Sequence, residues 1–247
     1  MSPAATRVVV NGAAGRMGTL AVAALGGADG LEVVGACGRG DDLAGTIRRE
    51  RADVVLDFTR PDCVRANALA ILEAGARPVI GTSGVDGATR GELTRQCEAL
   101  KRGGILAPNF AIGAVLMMRL AEIAAEHLPA VEIVEAHHAQ KVDAPSGTAI
   151  ATAERLARSR GATIVPAGGV ARGELRSGIP VHSLRLPGVV AEQKVSFGEL
   201  GQKLTIEHVT YSRDAYMPGV VLACRRVMKL DHFVVGLDEL LFAKGGS

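Results

Sequence analysis

Between Glu135 and Ala149 the chain reads EAHHAQKVDAPSGTA, so two adjacent histidines and a lysine stand just before a Ser-Gly-Thr step into an alanine-rich run. Imidazole titrates near neutral pH and serves as a general acid, and an ammonium group pairs with carboxylates. Pro145-Ser146-Gly147-Thr148 has the pattern of a helix start, with Ser146 as N-cap and the amides of Gly147 and Thr148 expected to face an anion. The combination predicts acid chemistry on a small anionic molecule, with His137, His138 and Lys141 as the cationic groups. A metal is not expected, because adjacent residues of a strand point to opposite faces and no third Cys, His or carboxylate stands at ligand spacing.

A second constellation lies near the start of the chain. Asn11-Gly12-Ala13-Ala14-Gly15-Arg16-Met17-Gly18 follows an apolar run and precedes an alanine-rich helical pattern. Glycines at such a turn let backbone approach a pyrophosphate, and the following helix start offers N–H groups to it, which predicts a dinucleotide. The spacing is a GxxGxxG variant, and its placement between strand and helix is what separates it from a tight turn of no further consequence. The next strand ends Ala36-Cys37-Gly38-Arg39, without the carboxylate that usually holds the ribose hydroxyls of NAD. Gly38 leaves room for a 2′-phosphate and Arg39 can pair with it, so NADPH is favoured, with NADH as the other possible donor. The competing reading makes Arg39 a solvated loop residue beside Asp41 and Asp42. Three further loops follow strand ends: Asp57 to Pro61, Gly81-Thr82-Ser83-Gly84, and Ala107-Pro108-Asn109-Phe110. Gly81 to Ser83 would offer backbone groups to a carboxamide, although such residues are also ordinary turn formers.

The elements that must position these residues follow from periodicity. Continuous apolar runs at Arg7–Asn11, Leu31–Ala36, Asp53–Phe58, Arg77–Ile80 and Gly104–Ala107 alternate with helical patterns, the rhythm of a parallel sheet buried on both faces. After a helix at Ile112–Glu126 the rhythm changes. A strand at Val131–Ala136 and a helix at Gly147–Arg158 precede consecutive strands at Val181–Leu186, Val189–Phe197 and Lys203–His208, which predicts a mixed or antiparallel sheet in a second domain. A helix at Asp214–Met228 with Pro218 in its first turn, a strand at Val234–Val235 and a short helix at Asp238–Phe242 close the chain and would return to the first domain. The expected division is residues 1–108 completed by 214–247, and 109–213. The Gly-rich stretch Gly168–Gly178 reads as a surface loop.

The bulk properties narrow the function classes. The chain has 247 residues, 28 basic and 26 acidic, for a formal net charge of +2, and no basic run, so neither nucleic acid nor an anionic membrane is expected as partner. Aromatics are 3% of residues and Gly contributes 31, as in an α/β protein whose Val-rich strands are covered by Ala- and Leu-rich helices. Cys37, Cys63, Cys97 and Cys224 are scattered and read as reduced thiols. With no signal-like or membrane-spanning stretch, the expected location is the cytoplasm.

The HHxxKxDAPSGTA run, together with GxxGRMG, DFTRP, GTSG and APNFAIG in the same order, resembles the 4-hydroxy-tetrahydrodipicolinate (dihydrodipicolinate) reductase family of lysine and diaminopimelate biosynthesis. The resemblance covers nearly the whole chain. It implies a Rossmann-like cofactor domain, a smaller α+β substrate and tetramerisation domain with a mixed sheet, and a homotetramer. It further implies that His137 is the general acid and Lys141 a proton donor and carboxylate partner, that His138 touches substrate, and that Gly147 and Thr148 hold a substrate carboxylate. The cofactor would lie against Gly12 to Met17, Arg39, Gly81 to Ser83 and Ala107 to Phe110. The implied reaction is loss of water from a cyclic imine dicarboxylate followed by hydride transfer, with the two domains closing over it. Two departures stand out: many members have an acidic residue at Gly38, and commonly a histidine at Glu192. Two alternatives stand beside this reading. One is a related reductase of another cyclic imine dicarboxylate; the other is a non-catalytic NADPH-binding sensor, against which the complete His137, His138, Lys141 and Gly147-Thr148 set argues.

Overall fold

Six short runs rich in Val, Ile and Leu pair side by side in one parallel sheet. The computed structural model describes residues 4–159 and 170–242 and separates into two units, Met1–Ala111 with Tyr216–Ser247, and Ile112–Ala215. The first unit alternates β1 (Thr6–Asn11), α1 (Arg16–Gly26), β2 (Leu31–Cys37), α2 (Leu43–Glu50), β3 (Val54–Asp57), α3 (Pro61–Glu73), β4 (Arg77–Ile80), α4 (Gly87–Leu100) and β5 (Gly104–Leu106). The second contains α5 (Ile112–Ala125), β6 (Ala130–His137), α6 (Gly147–Ser159), β7 (Glu174–Arg176), β8 (Ile179–Arg185), β9 (Ala191–Glu199) and β10 (Gln202–Thr210). The chain then adds α7 (Met217–Arg226), β11 (Phe233–Val235) and α8 (Asp238–Phe242) to the first unit.

The first sheet has the order β11-β5-β4-β3-β1-β2. Val8, Val9, Val10, Val54, Val55, Leu56, Val79 and Ile105 have no exposed surface, because crossover helices cover both faces and each apolar run is buried whole. The register sets Asn11 opposite both Cys37 and Asp57, Asp57 opposite Ile80, and Ile80 opposite Leu106. All the loops after these residues therefore leave from one edge, and the strand order reverses between β1 and β3, the kind of crevice where open α/β sheets take their ligands. The expected fold class, a Rossmann-like parallel sheet with a second, mixed-sheet unit, is what the structure shows.

In the second unit the sheet order is β10-β9-β6-β8-β7, with β6 and β8 parallel and the remaining pairs antiparallel. Val131 and Ile133 of β6, Val195 and Phe197 of β9 and the α6 residues Ala149, Ala153 and Leu156 are buried. Strand alternation puts Glu135 on the same core-facing side of β6 as Ile133, an unusual place for a carboxylate.

Two expectations need correction. Within the segment expected to be a surface loop, Val170–Arg172 forms a 3-10 turn and Glu174–Arg176 forms β7, hairpinned to β8. Ser177 and Gly178 adopt φ of 50° and 77°, the left-handed pair that a two-residue hairpin turn requires. A three-residue strand with Leu175 as its one large apolar side chain leaves no alternation to read. Gly168 and Gly169 lie outside the described residues. The helix expected as one piece at Asp214–Met228 is α7 flanked by 3-10 turns at Arg213–Tyr216 and Val227–Lys229. Pro218 has no amide to bond back to a preceding carbonyl, so the regular helix can begin only around it.

Among the described residues, no helix is long and apolar enough to cross a membrane, and no cluster of His, Cys, Asp and Glu could hold a metal ion. All four thiols are free.

Candidate active site

The C-terminal edge of the first sheet gathers Gly12 to Met17, Arg39, Gly81 to Ser83 and Ala107 to Phe110 on neighbouring loops. Gly12 has φ of 79°, and a Cβ there would stand 2.5 Å from the Phe58 carbonyl oxygen, so only glycine lets the turn pass under that loop. Its amide and that of Ala13 donate to the Cys37 carbonyl at 2.8 and 3.1 Å, which ties the turn to the end of β2. Those two amides are consequently committed to the protein. Helix α1 starts at Gly15 with no side-chain cap, whereas Asp42 and Asp86 cap α2 and α4 by accepting from Gly45 and Thr89. An uncapped, glycine-flanked helix start is what a pyrophosphate needs.

Phe58 and Phe110 meet edge to face with centroids 5.7 Å apart. A Cβ on Gly81 would run into the Phe58 ring and come within 2.9 Å of the Phe110 ring, so the two aromatics explain this glycine. Beside it the Thr82 hydroxyl is buried without a protein partner. Below lies Asp57, 1% exposed, whose carboxylate accepts from the Thr59 amide and hydroxyl and from Asn11 and Asn67 at 2.5–3.2 Å. Neither Asp57 nor Asn67 is legible as a site residue in the sequence: the partners are ordinary polar residues that only the sheet register and α3 bring together. The glycine cradle, the uncapped helix and the orphaned hydroxyl fit a bound dinucleotide. At the β2 end, Gly38 lacks a carboxylate of its own, yet the Asp41 side chain folds back and accepts from the Gly38 amide at 2.7 Å. Arg39 is exposed beside it.

The second unit carries the ionisable groups. His137 ends β6 with its Nδ1 2.6 Å from a Glu135 carboxylate oxygen. Arg185, opposite His137 in the β6–β8 register, donates to both Glu135 oxygens at 3.0 and 2.9 Å. The Ser146 amide completes the set at 3.2 Å. Burial opposes charge on Glu135, but the hydrogen bonds from His137, Arg185 and Ser183 outweigh it and hold the carboxyl down to about 2. Ser146 is the N-cap of α6, its hydroxyl accepting from Ala149 at 3.2 Å. Gly147 is exposed, and nothing lies within 4 Å of where its Cβ would be. Lys141 is not paired with a histidine. Its ammonium donates to both oxygens of Asp143, at 2.7 and 2.8 Å, and lowers the Asp143 pKa. His138 Nδ1 is buried without a protein partner. Glu135, Arg185 and Asp143 are absent from the sequence-derived set; a charged residue at a core-facing strand position was the one available signal for Glu135. Glu192, opposite Ala136 in the sheet register, belongs to the other face of the sheet from Glu135 and His137.

A parallel sheet with a glycine-rich cradle at its switch point, followed in the chain by a second unit that carries a fixed imidazole, is the architecture of a nicotinamide-nucleotide-dependent oxidoreductase. Residues 6–110 and 113–241 match the family models for the N-terminus and the C-terminus of dihydrodipicolinate reductase. The chain belongs to that family. It is 49% identical over 238 residues to the 4-hydroxy-tetrahydrodipicolinate reductase of Coxiella burnetii (strain Dugway 5J108-111), covering 96% of this chain and 100% of the relative. It is also 49% identical over 244 residues to that of Legionella pneumophila (strain Corby), covering 96% and 99%. Among solved structures it resembles the dipicolinate-bound dihydrodipicolinate reductase from Paenisporosarcina sp. TG-14, with TM-score 0.85, 37% identity, and 95% and 99% of the two chains covered. An amine dehydrogenase from Mycobacterium smegmatis, at 15% identity and TM-score 0.62, shares the fold.

Proposed function

We infer that this chain reduces 4-hydroxy-tetrahydrodipicolinate to tetrahydrodipicolinate, the reductase step of lysine and diaminopimelate synthesis, with His137 as the general acid. The observation that carries the assignment of the acid is the imidazole of His137, held at Nδ1 by a buried carboxylate in the unit that also bears Lys141 and the open start of α6. A bound reduced nicotinamide supplies the hydride. The chain's own residues do the rest. The uncapped start of α1 takes the pyrophosphate, with Gly12 to Met17 lining the turn, while Gly81 to Ser83 and Ala107 to Phe110 hold the nicotinamide end. Gly147 and Thr148 at the α6 N-terminus meet one ring carboxylate, and Lys141 exchanges Asp143 for a substrate carboxylate, with His138 as a further contact. After water leaves the hydroxylated ring, negative charge builds on the enamine as hydride arrives, and a proton from His137 Nε2 meets it.

Arg39 beside Gly38 supports a preference for NADPH, and the carboxylate of Asp41, returned to the end of β2, supports continued use of NADH. Residues 1–108 with 214–247 are the dinucleotide-binding domain and 109–213 the substrate and oligomerisation domain of this reading, and a homotetramer is its assembly. The family relationship supports that assembly; mass in solution tests it. The reaction is tested by a coupled assay in which a synthase makes the substrate from pyruvate and aspartate semialdehyde while NADPH oxidation is followed. Oxidation that requires both precursors and the synthase is the expected result. A folded, NADPH-binding protein that is silent in that mixture would overturn the substrate assignment in favour of another cyclic imine dicarboxylate.

A further inference from the structure

We propose that Glu135 and Arg185 form a positioning pair that fixes the tautomer and orientation of His137 and ties the Lys141 loop to the same frame. The proposal rests on the reading of His137 as the acid. Glu135 has no exposed side-chain surface and sits on the core-facing side of β6. One oxygen faces His137 Nδ1 at 2.6 Å and Arg185 Nη1 at 3.0 Å; the other takes Arg185 Nη2 at 2.9 Å and the Ser146 amide at 3.2 Å.

Three of these four contacts come from obligate donors, an arginine and a main-chain amide, so the carboxylate is charged and acceptor-only. His137 must therefore donate from Nδ1, and the proton it exchanges is the one on Nε2. When Nε2 gives up its proton to a substrate, the ring is left neutral with Nδ1–H still on Glu135, and solvent returns the proton to Nε2. The carboxyl held down to about 2 is consistent with an anion that stays charged throughout the working range.

A purely structural role explains the arrangement poorly. A buried ion pair stabilises a fold little compared with well-packed apolar residues, since desolvating both charges offsets their attraction. What an apolar pair could not do is grip an imidazole and a loop at once. Arg185 Nη2 also donates to the Asp143 carbonyl at 2.6 Å, and the Asp143 side chain holds the Lys141 ammonium. One guanidinium thus reaches the group that orients His137 and the residue that holds Lys141. The partners are 50 and 42 residues apart in the chain.

The test uses the full-length enzyme. Imidazole 15N spectra of the histidine-labelled wild type should place the proton of neutral His137 on Nδ1, and an Nε2–H neutral ring would overturn the proposal whatever the variants do. Glu135→Gln should lower kcat by at least roughly tenfold, the lower end of the scale for carboxylates that orient an imidazole, while the KM for substrate and the Kd for NADPH change less than about threefold. A folded Glu135→Gln protein with wild-type kcat would make the pair structural only and sink the idea. If that variant does not fold, the wild-type tautomer decides. His137→Gln run in parallel separates the two readings: wild-type turnover there removes the acid assignment, whereas a large loss there with no loss in Glu135→Gln removes only the positioning pair.

Discussion

The two candidate sites are built from different materials. At the edge of the first sheet the ligand-facing surface is backbone and glycine, bounded by two phenyl rings, and its one buried charge, Asp57, is turned inward to brace the Thr59 loop. In the second unit the site is made of charges: Glu135 and Arg185 stand beside the His137 imidazole, Arg185 links them to Asp143 and its partner Lys141, and all but Asp143 are largely withdrawn from water. On the proposed reading, shape selects at the first site and charge at the second. That fits a cofactor recognised through its phosphates and flat ring, against a small substrate whose protonation changes during the reaction.

If the contrast is real, size changes should break the first site and charge changes the second. The largest effect is expected for His137→Gln, with turnover down about two orders of magnitude or more and NADPH affinity unchanged in a fluorescence titration; Lys141→Ala should match it in kcat and also raise KM. Gly81→Ala comes next. Forcing a Cβ into the Phe58 and Phe110 rings should weaken NADPH binding by about tenfold or more, while dipicolinate binding, measured calorimetrically, stays as it was. Loss of dipicolinate binding there would show that the sites are not separable in this way.

Gly147→Val should raise the substrate KM by about tenfold, and because nothing lies within 4 Å of that Cβ position, the protein itself should be as stable as the wild type. A lowered melting temperature with an unchanged KM would move the carboxylate pocket elsewhere. Arg39→Ala should cost NADPH about fivefold and NADH little, the scale of one exposed charge-assisted contact, and Asp41→Ala should weaken NADH alone. Equal losses for both cofactors would break the Arg39 assignment. A last effect falls on acid stability and not on activity. Glu135 has a folded pKa of about 2, below its ordinary value, so its stabilising contribution is complete above about pH 4.5 and is lost as pH falls toward 2. For a fully buried group that contribution is on the order of 3 kcal/mol. Acid unfolding of Glu135→Gln should show a correspondingly shallower fall across that window, and an unchanged slope would show that the charge does not carry it.

Periodicity and glycine spacing alone determined a good deal. The strand Arg77–Ile80 and the short helix Asp238–Phe242 are read from the sequence to the residue, and most other strands to within a few, because a strand buried on both faces must be a short apolar run. The same holds for the Ser146 cap, whose cause lies within a few residues, and the spacing of the glycine turn is legible although its partners Cys37 and Phe58 are distant. What the tertiary structure alone decided are pairings over long separations and between residues of ordinary type. Gly81 is explained by rings from two other loops, Asp57 by Asn11 and Asn67, and the end of β2 regains a carboxylate because Asp41 turns back onto Gly38. Strand β7 escapes pattern reading because an edge strand of three residues is held by its hairpin partner and not by burial. Glu135 and Arg185 show the limit most clearly: Arg185 reads alone as an ordinary strand charge and Glu135 only as a charge out of place, and the parallel register of β6 and β8 brings them together around His137. Local chemistry is written in neighbouring residues, but the field at a buried group is a sum over whatever the fold packs against it.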